Sequence, residues 1–213
     1  MADPETGPDP EPRRGYHHGN LRQALVEATL ALIEEKGPLG FTLAEAARAA
    51  GVSPAAPYRH FRGREELIEE VARQGFVMFA DALERAAAAG GPSALRALFE
   101  IGRAYLEFAR SHPGYYQAMF ESGVEVAGNG ELARAAERAL SVLIGVAARL
   151  AAQLPPERRP PPTMVANHVW ALSHGVVELF GRGRPGSRAP YSAEEMLESG
   201  VSIYLRGLGV IPA

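Results

Sequence analysis

The feature that most restricts the fold of this chain is its division into helix-length segments by glycine and proline. In the segment that begins at Leu21, apolar residues recur at Leu25, Ala28 and Leu32, which is the spacing of one helix face, and the segment stops at Gly37. We find no stretch of four or more strictly alternating apolar residues, and no Asn-Gly or Asp-Gly hairpin between two such stretches. The sequence therefore predicts an all-α fold without a sheet.

Capping residues place the starts of several further predicted helices. Thr42 and Glu45 form a capping box that opens a short helix, and Gly51 stops it. Ser53 is the predicted N-cap of a second short helix, which has Pro54 at its first position and ends near residue 61. Longer helices are predicted over residues 64–89, 93–110, 115–121, 131–153, 163–181 and 192–207, with Thr163 and Ser192 as the N-caps of the last two.

Composition and charge limit the function classes. The chain has 213 residues, 46% of them hydrophobic, and no cysteine, so a sizeable core is expected and thiolate chemistry is excluded. Charges break the apolar runs well short of the roughly 20 residues that a bilayer requires, and residues 1–12 are acidic and proline-rich, unlike a signal peptide. We therefore expect a cytoplasmic protein. The net charge is -3, but residues 13–64 carry eight basic and four acidic side chains, which fits a local polyanion-binding module as well as ordinary variation.

Residues 42–61 have the pattern of a helix-turn-helix motif, two short helices joined by a tight turn that contains glycine. Gly51 stands where the turn requires a left-handed residue, and Val52 is placed to anchor the turn in the core. The second helix of such a motif fits the major groove of DNA. Tyr58, Arg59 and His60 lie there as three consecutive hydrogen-bond donors. Helix pairs are also common in proteins that do not bind DNA.

This region resembles the DNA-binding domain of the tetracycline-repressor (TetR) family of transcription regulators. Order and spacing agree over residues 21–76 in the segments Glu34-Glu35-Lys36-Gly37, Phe41-Thr42, Ala49-Ala50-Gly51-Val52-Ser53, Tyr58-Arg59-His60-Phe61 and Arg64-Glu65-Glu66-Leu67. Residues 169–175, with the sequence Val-Trp-Ala-Leu-Ser-His-Gly, resemble a subgroup of the family named for its Trp-His-Gly. The resemblance implies an all-helical homodimer that needs no cofactor, with N-terminal domains that bind operator DNA and C-terminal domains that bind a small inducer.

The expected organisation follows from the breaks and from the resemblance. Residues 1–13 are a disordered acidic tail, residues 14–63 a three-helix DNA-binding domain with the helix-turn-helix, and residues 64–213 a helical effector-binding and dimerisation domain. The expected function is a ligand-responsive regulator, most simply a repressor released from a palindromic operator, and not an enzyme. The alternatives are a helical binding protein without DNA binding, or a small helical enzyme that uses His174, Glu178 and His112. No phosphate loop, Gly-x-Ser-x-Gly or His-Glu-x-x-His sequence supports the enzyme.

The candidate DNA contacts surround the turn and the second short helix. Arg59 is the best candidate for reading a guanine, because arginine bonds its O6 and N7 bidentately; a phosphate contact is the equal alternative. Pro57 departs from the family pattern, and we interpret it as an inward-facing stiffener without a role in readout. Four basic residues before the first helix form either an arm over the duplex or a solvated tail: Arg13, Arg14, His17 and His18. The predicted DNA-binding residues are Thr42, Ser53, Ala55, Ala56, Tyr58, Arg59, His60 and Arg64.

Aromatic residues concentrated in the second half mark the candidate effector pocket, with core packing as the alternative role for most of them. Trp170 and His174 are one helical turn apart, so they share a face that Glu178 extends. His174 and Glu178 also have a spacing compatible with a metal ion, but a third ligand is absent nearby, and no metal site is predicted. The predicted ligand-binding residues are Phe79, Tyr105, Phe108, Tyr116, Met119, Phe120, Trp170 and His174.

The last two helices are expected to pair with their copies in a four-helix dimer interface. Their apolar residues are Val165, Val169, Leu172, Val176, Leu179, Leu197, Val201, Tyr204, Leu205 and Leu208. The sequence Arg182-Gly183-Arg184-Pro185 resembles an AT-hook, but its place in the linker between these helices favours a flexible loop.

Overall fold

A computed structural model describes residues 21–127, 130–181 and 190–212. These residues form eight α-helices and no strand, so the predicted all-α fold is confirmed. None of the helices in these ranges is both long enough and apolar enough to cross a bilayer. The helices are α1 (Leu21–Lys36), α2 (Leu43–Ala49), α3 (Arg64–Ala89), α4 (Ala94–Ser111), α5 (Pro113–Phe120), α6 (Gly130–Ala151), α7 (Pro162–Val176) and α8 (Ala193–Gly207).

Side-chain caps start α2 and α8 as the sequence predicts. The Thr42 hydroxyl accepts a hydrogen bond from the Glu45 backbone N–H, and the Glu45 carboxylate accepts one from the Thr42 N–H. Ser192 and Glu195 make the same reciprocal pair at the start of α8. Each pair satisfies backbone donors that a helix start otherwise leaves open. After α2, Gly51 has a φ of 71°, the left-handed conformation expected at the turn.

The predicted N-cap Thr163 is wrong. α7 begins at Pro162, directly after Pro161, and no side chain caps it. Proline is well tolerated at this place because the first N–H groups of a helix have no partner within the helix. The α-helical hydrogen bonding ends at Val176, and one turn of π-helix, Val177–Gly181, continues to the predicted end of the segment.

The second short helix of the predicted motif is not an α-helix. The chain makes turns after Ser53 and then a single turn of 3-10 helix, Pro57–Arg59. Ser53 is not its N-cap; the Ser53 carbonyl accepts from the Ala56 N–H at 3.0 Å instead. The two prolines explain the difference, because Pro54 and Pro57 have no N–H to donate in an α-helical pattern. Pro57 is buried, so its predicted inward orientation is confirmed.

α3 is the central helix of the fold. It contacts α1, α4, α5 and α6. Its buried face extends from Leu67 to Leu83 and includes Phe76 and Phe79. One apolar core continues along this face from α1 to α8, so the helix-turn region and the C-terminal helices share packed side chains.

Most of the predicted interface residues lie in the core of the single chain. α7 and α8 use those faces to pack on each other and on α4, so this part of the dimer prediction is wrong. Of the predicted residues, Leu179 remains outside the core at 58% exposed, and Leu172, Tyr204 and Leu208 are half-buried. Ile203, which was not in the predicted set, is 64% exposed. The buried members are Val165, Val169, Val176, Leu197, Val201 and Leu205.

Candidate functional site

The turn Pro57–Arg59 presents consecutive polar side chains to solvent. Tyr58 is 64% exposed, and Arg59 and His60 are exposed beside it. Buried Pro57 and Phe61 hold the turn against the core from either side. The N–H groups of His60 and Phe61 both donate to the Pro57 carbonyl at 2.9 Å. The backbone of the turn is therefore fixed, while the side chains at its tip are free to meet a partner.

The Arg59 guanidinium has no ion pair or side-chain hydrogen bond with any residue that the structure describes. All of its N–H donors are thus available to an external acceptor. Arg48, exposed near the end of α2, is in the same situation among the described residues. Sequence reasoning missed Arg48; its place in the basic segment, one turn before Gly51, was the available signal.

Thr42 is exposed at the start of α2, but its hydroxyl is engaged. It accepts from the Glu45 N–H at 3.2 Å and donates to the Glu45 carboxylate at 3.0 Å. Lys36 donates to the same carboxylate at 2.8 Å. Hydrogen bonds from Lys36 and then from Thr42 lower the pKa of Glu45 to about 2. The cap is thus a rigid start for α2.

The Arg64 guanidinium is engaged by other groups of the chain. Its guanidinium donates to the Leu39 carbonyl at 2.9 Å and to the Glu65 carboxylate at 3.3 Å, and its side chain is 29% exposed. It ties the loop between α1 and α2 to the start of α3. Of the other predicted DNA-binding residues, Ser53 and Ala55 are exposed and Ala56 is half-buried.

A buried carboxylate joins α1 to α3 behind the turn. Glu70 is 5% exposed and lies 2.8 Å from Arg22 of α1 and 2.7 Å from Arg73, while Gln74 donates to it at 2.8 Å. Burial raises the pKa of Glu70, but the hydrogen bonds from Arg73, Gln74 and Arg22 outweigh burial and hold the pKa at about 2. Arg22 also lies over the Phe61 ring, 5.3 Å from its centroid. Through Arg22, the ion pairs of Glu70 are therefore connected to Phe61, which anchors the exposed turn.

The predicted ligand-binding residues come together in one packed cluster between α3, α4, α5 and α7. The Phe79 ring is central, with centroids 5.1 Å from Tyr105, 5.0 Å from Phe108 and 5.8 Å from Trp170. In this structure the buried members of the cluster pack in the hydrophobic core, which is the alternative role considered for them. Those members are Phe79, Tyr105, Phe108, Tyr116 and Met119, whereas Phe120, Trp170 and His174 are half-buried.

Two tyrosines hold His174 within the cluster. The His174 Nδ1 lies 2.7 Å from the Tyr116 hydroxyl and 3.2 Å from the Tyr105 hydroxyl. Nδ1 makes one strong hydrogen bond at a time, so Tyr116 is the better-placed partner. Burial raises the pKa of Tyr105, and neighbouring Tyr116 and Glu178 raise it further, so the Tyr105 hydroxyl keeps its proton. These bonds fix the imidazole at the junction of α4, α5 and α7.

An open cleft of about 440 Å³ lies beside the cluster, bounded by α3, α6, α7 and the residues after α5. Among the predicted ligand-binding residues, Trp170 lines it. Phe76, Ala136, Glu137 and Asn167 also line it and were missed from the sequence. Small residues at helical spacing on α6 were the signal for such a space, because they leave room beside the helix.

Some sequence hypotheses concern residues that the structure does not describe. The basic arm and the AT-hook-like residues 182–185 lie outside the described ranges. Within those ranges, no group of three or more His, Asp or Glu side chains is arranged to hold a metal ion. His112, named for the enzyme alternative, packs against Phe108 with ring centroids 5.0 Å apart.

Two family models match the chain. Residues 25–71 match the model described as "Bacterial regulatory proteins, tetR family". Residues 98–204 match the model described as "Tetracyclin repressor-like, C-terminal domain", and this match alone covers half of the chain. The N-terminal match ends inside α3, and the C-terminal match begins inside α4.

Curated relatives match over shorter stretches. The chain is 29% identical over 101 residues to the "Uncharacterized HTH-type transcriptional regulator YobS" of Bacillus subtilis, which is 47% of this chain and 51% of YobS. It is 47% identical over 47 residues to the "HTH-type transcriptional regulator BetI" of Rhizobium meliloti, which is 22% of this chain and 23% of BetI. The chain thus spans about half the length of YobS and less than a quarter of BetI.

Solved structures agree with this chain over most of its length. A protein of unknown function from a Rhodococcus species superposes with a TM-score of 0.75 and 27% identity, covering 92% of this chain and 98% of that one. The TetR family transcriptional regulator PfmR from Thermus thermophilus shares the fold, with a TM-score of 0.66 and 20% identity over 85% of this chain and 97% of PfmR. With family models matching both its N-terminal and its C-terminal region, the chain belongs to the TetR family of bacterial regulatory proteins.

Proposed function

We propose that this chain is a DNA-binding transcriptional regulator that represses from a palindromic operator and is released by a small-molecule inducer. The observation that carries the proposal is the exposed row Tyr58-Arg59-His60, held by buried Pro57 and Phe61. The Arg59 guanidinium has no ion pair or side-chain hydrogen bond with any of the described residues. Free donors on a rigid turn suit phosphates and base edges, which position and specify a duplex respectively.

In this proposal Arg59 contacts a base edge and its neighbours position the duplex. Tyr58 and His60 donate to phosphate oxygens on either side of it. Ala55 and Ala56 are small, so the backbone approaches the groove closely and their methyl groups meet thymine. The short 3-10 turn places these side chains at a protruding tip, where a longer helix would spread them along the groove.

Residues around this tip complete the DNA-binding face. Ser53 contacts a phosphate from the start of the turn, and exposed Arg48 adds a phosphate contact outside the predicted set. Thr42 supports the face through its cap, because its N–H and hydroxyl both donate to the Glu45 carboxylate. Arg64 supports the face indirectly, because its guanidinium donates a hydrogen bond to the Leu39 carbonyl and so fixes the loop before α2. We retain residues 14–63 as the DNA-binding domain and residues 64–213 as the effector and dimerisation domain, with α3 as the shared helix.

We assign ligand binding to the cleft and to the cluster behind it. Trp170 belongs to both, since it lines the cleft and lies 5.8 Å from Phe79 and from Tyr105. His174 and the two tyrosines that hold it form the polar end of this site. We also propose that the chain belongs to the subgroup of the family named for its Trp-His-Gly, whose aromatic and polar side chains here are Trp170 and His174.

A homodimer is part of the proposal, with a corrected interface. The exposed apolar side chains of the last helices are Met164, Leu179 and Ile203, which are 44%, 58% and 64% exposed. These outer faces, rather than Val201 and Leu205, pair with a second copy. The proposed homodimer is a cytoplasmic regulator without catalytic activity. Its two-fold symmetry matches a palindromic operator.

A nuclease footprint on the DNA that flanks the gene for this chain tests the proposed function. We expect one protected inverted repeat, with half-sites about one helical turn apart or slightly more. Protection that is absent, or that appears equally on unrelated DNA, contradicts the proposal.

A further inference from the structure

The cleft beside Trp170 has a charge character that indicates what it binds. Its apolar wall comes from Phe76, Ala136, Leu140 and Trp170, and its volume of about 440 Å³ suits a compact organic molecule. The single charged side chain among the residues that line it is Glu137, a carboxylate.

The carboxylate of Glu137 is not neutralised from within the described part of the chain. It has no ion pair there. The next residue on α6, Arg138, is directed away from it, toward Asp81 at 2.7 Å and Glu84 at 2.5 Å on α3. A ligand in the cleft therefore meets a negative charge that lacks a protein counter-ion.

Asn167 adds a second acceptor at the rim. Its Nδ2 donates to the Thr163 carbonyl at 2.9 Å, which directs the amide and leaves Oδ1 as an acceptor. The two oxygen acceptors on this cleft, the Glu137 carboxylate and the Asn167 carbonyl oxygen, thus favour positive or hydrogen-bond-donating atoms.

The aromatic wall has the same preference. Aromatic faces attract cations, most strongly where water is excluded. Phe76 is 3% exposed, and its ring centroid lies 5.5 Å from that of Phe120. Trp170 is held by edge contacts to Phe79, Tyr105 and Phe120. This preformed aromatic wall requires little reorganisation when a ligand enters.

We propose that this cleft binds a hydrophobic organic cation, with Glu137 as its charge partner and Phe76 and Trp170 as its aromatic wall. This inference deepens the proposed function. It rests on that function only where it takes the bound cation to be the effector of the regulator. The apolar surface of the ligand is buried against α6, and its positive charge is balanced by the carboxylate at the rim.

The chain supplies its own probe, because Trp170 is its single tryptophan. Tetraphenylphosphonium and tetraphenylborate have nearly the same size and shape but opposite charge. We expect tetraphenylphosphonium to change the Trp170 fluorescence of the full chain saturably, and tetraphenylborate to bind at least about 10-fold more weakly. Equal binding of the two ions, or no response to the cation, overturns the proposal.

Two matched variants locate the charge. Glu137 is exposed at the rim. Glu137→Gln keeps the side-chain size and is expected to weaken tetraphenylphosphonium binding by about 2- to 5-fold, the range for an exposed ion pair. Glu157→Gln removes the same charge from the exposed turn Pro156–Arg158 and is expected to leave binding unchanged. An effect of equal size in both variants reduces the role of Glu137 to general electrostatics and overturns the assignment.

The fluorescence titration is carried out without DNA, so its result is independent of the proposed function. Cation binding that depends on Glu137 but leaves operator affinity unchanged supports the ligand class and contradicts effector action. Operator binding without any cation response supports the regulator and overturns the ligand class.

Discussion

At the scale of single residues, Glu70 is the most consequential side chain outside the surface sites. Its folded pKa of about 2 lies below the ordinary value of 4.5. The ionised carboxylate therefore stabilises the fold fully above about pH 4.5, and this contribution is lost as the pH falls from 4.5 toward 2. Since Arg22 is half exposed and Arg73 is partly exposed, removal of the carboxylate leaves two cations that water can still reach.

Glu70→Gln is expected to lower the free energy of unfolding by about 1–3 kcal/mol at pH 7. The loss relative to the wild type should shrink near pH 2.5, because the Glu70 carboxylate is then protonated in the unfolded state and most of its contribution to wild-type stability is gone. Urea unfolding followed by Trp170 fluorescence at both pH values measures this, with Glu157→Gln as the control. A difference between variant and wild type that stays constant over this range argues against the assigned pKa.

The hydrogen bond between Tyr116 and His174 gives a second prediction at this scale. Tyr116 is fully buried, so Tyr116→Phe removes the hydroxyl that lies 2.7 Å from the His174 Nδ1 without opening a cavity. We expect a loss of about 1 kcal/mol of stability, because the more distant Tyr105 hydroxyl replaces it only in part. Tyr191→Phe, at a residue that is 60% exposed, is the control and should change nothing. Equal stability of both variants shows that the bond contributes little.

At the scale of elements, the sequence was most informative where backbone chemistry alone decides the structure. The capping box at Thr42, the N-cap at Ser192 and the left-handed glycine at position 51 follow local rules, and all three predictions are confirmed. Prediction was wrong where two local rules competed. At Ser53, a good N-cap residue precedes two prolines, and the missing N–H groups produced a 3-10 turn instead of an α-helix.

Faces of helices were harder to predict than their ends. The apolar stripe of α8 predicts burial correctly, but the sequence does not show whether the chain itself or a second copy covers it. Val201 and Leu205 are covered by the chain, and Ile203, between them, is exposed. The cleft was missed for a related reason, since it depends on how α6 and α7 are spaced and not on any one helix.

The turn after α2 provides the prediction for this scale. Gly51 has a φ of 71°, so Gly51→Ala forces a side chain into the left-handed region and should cost about 1–2 kcal/mol. Gly145, in the middle of α6 with open space around its Cβ position, is the matched control, and Gly145→Ala should stabilise by about 0.5–1 kcal/mol. Thermal unfolding compares the two variants. A neutral or stabilising Gly51→Ala contradicts the assigned turn geometry.

At the scale of the whole molecule, the proposed dimer interface on the outer faces of α7 and α8 gives the prediction. Ile203→Asp places a charge on an exposed residue and should give a folded monomer in sedimentation equilibrium. That monomer should bind operator at least about 10-fold more weakly, because two half-sites are no longer engaged together. Val201→Asp instead buries a charge in the core and should destabilise the chain by more than about 3 kcal/mol. An Ile203→Asp protein that remains dimeric places the interface elsewhere.

The central claim, that the exposed turn reads DNA, is tested most directly by fluorescence anisotropy on the footprinted operator. Wild-type affinity should fall steeply between about 50 and 200 mM salt, because bound basic side chains displace counter-ions from phosphates. Arg59→Ala should lose about 1–3 kcal/mol of binding free energy together with the preference at one base pair, while Arg96→Ala on the exposed surface of α4 should bind as the wild type does. Tight binding that ignores salt, or an Arg59→Ala protein that binds the operator like the wild type, contradicts the account.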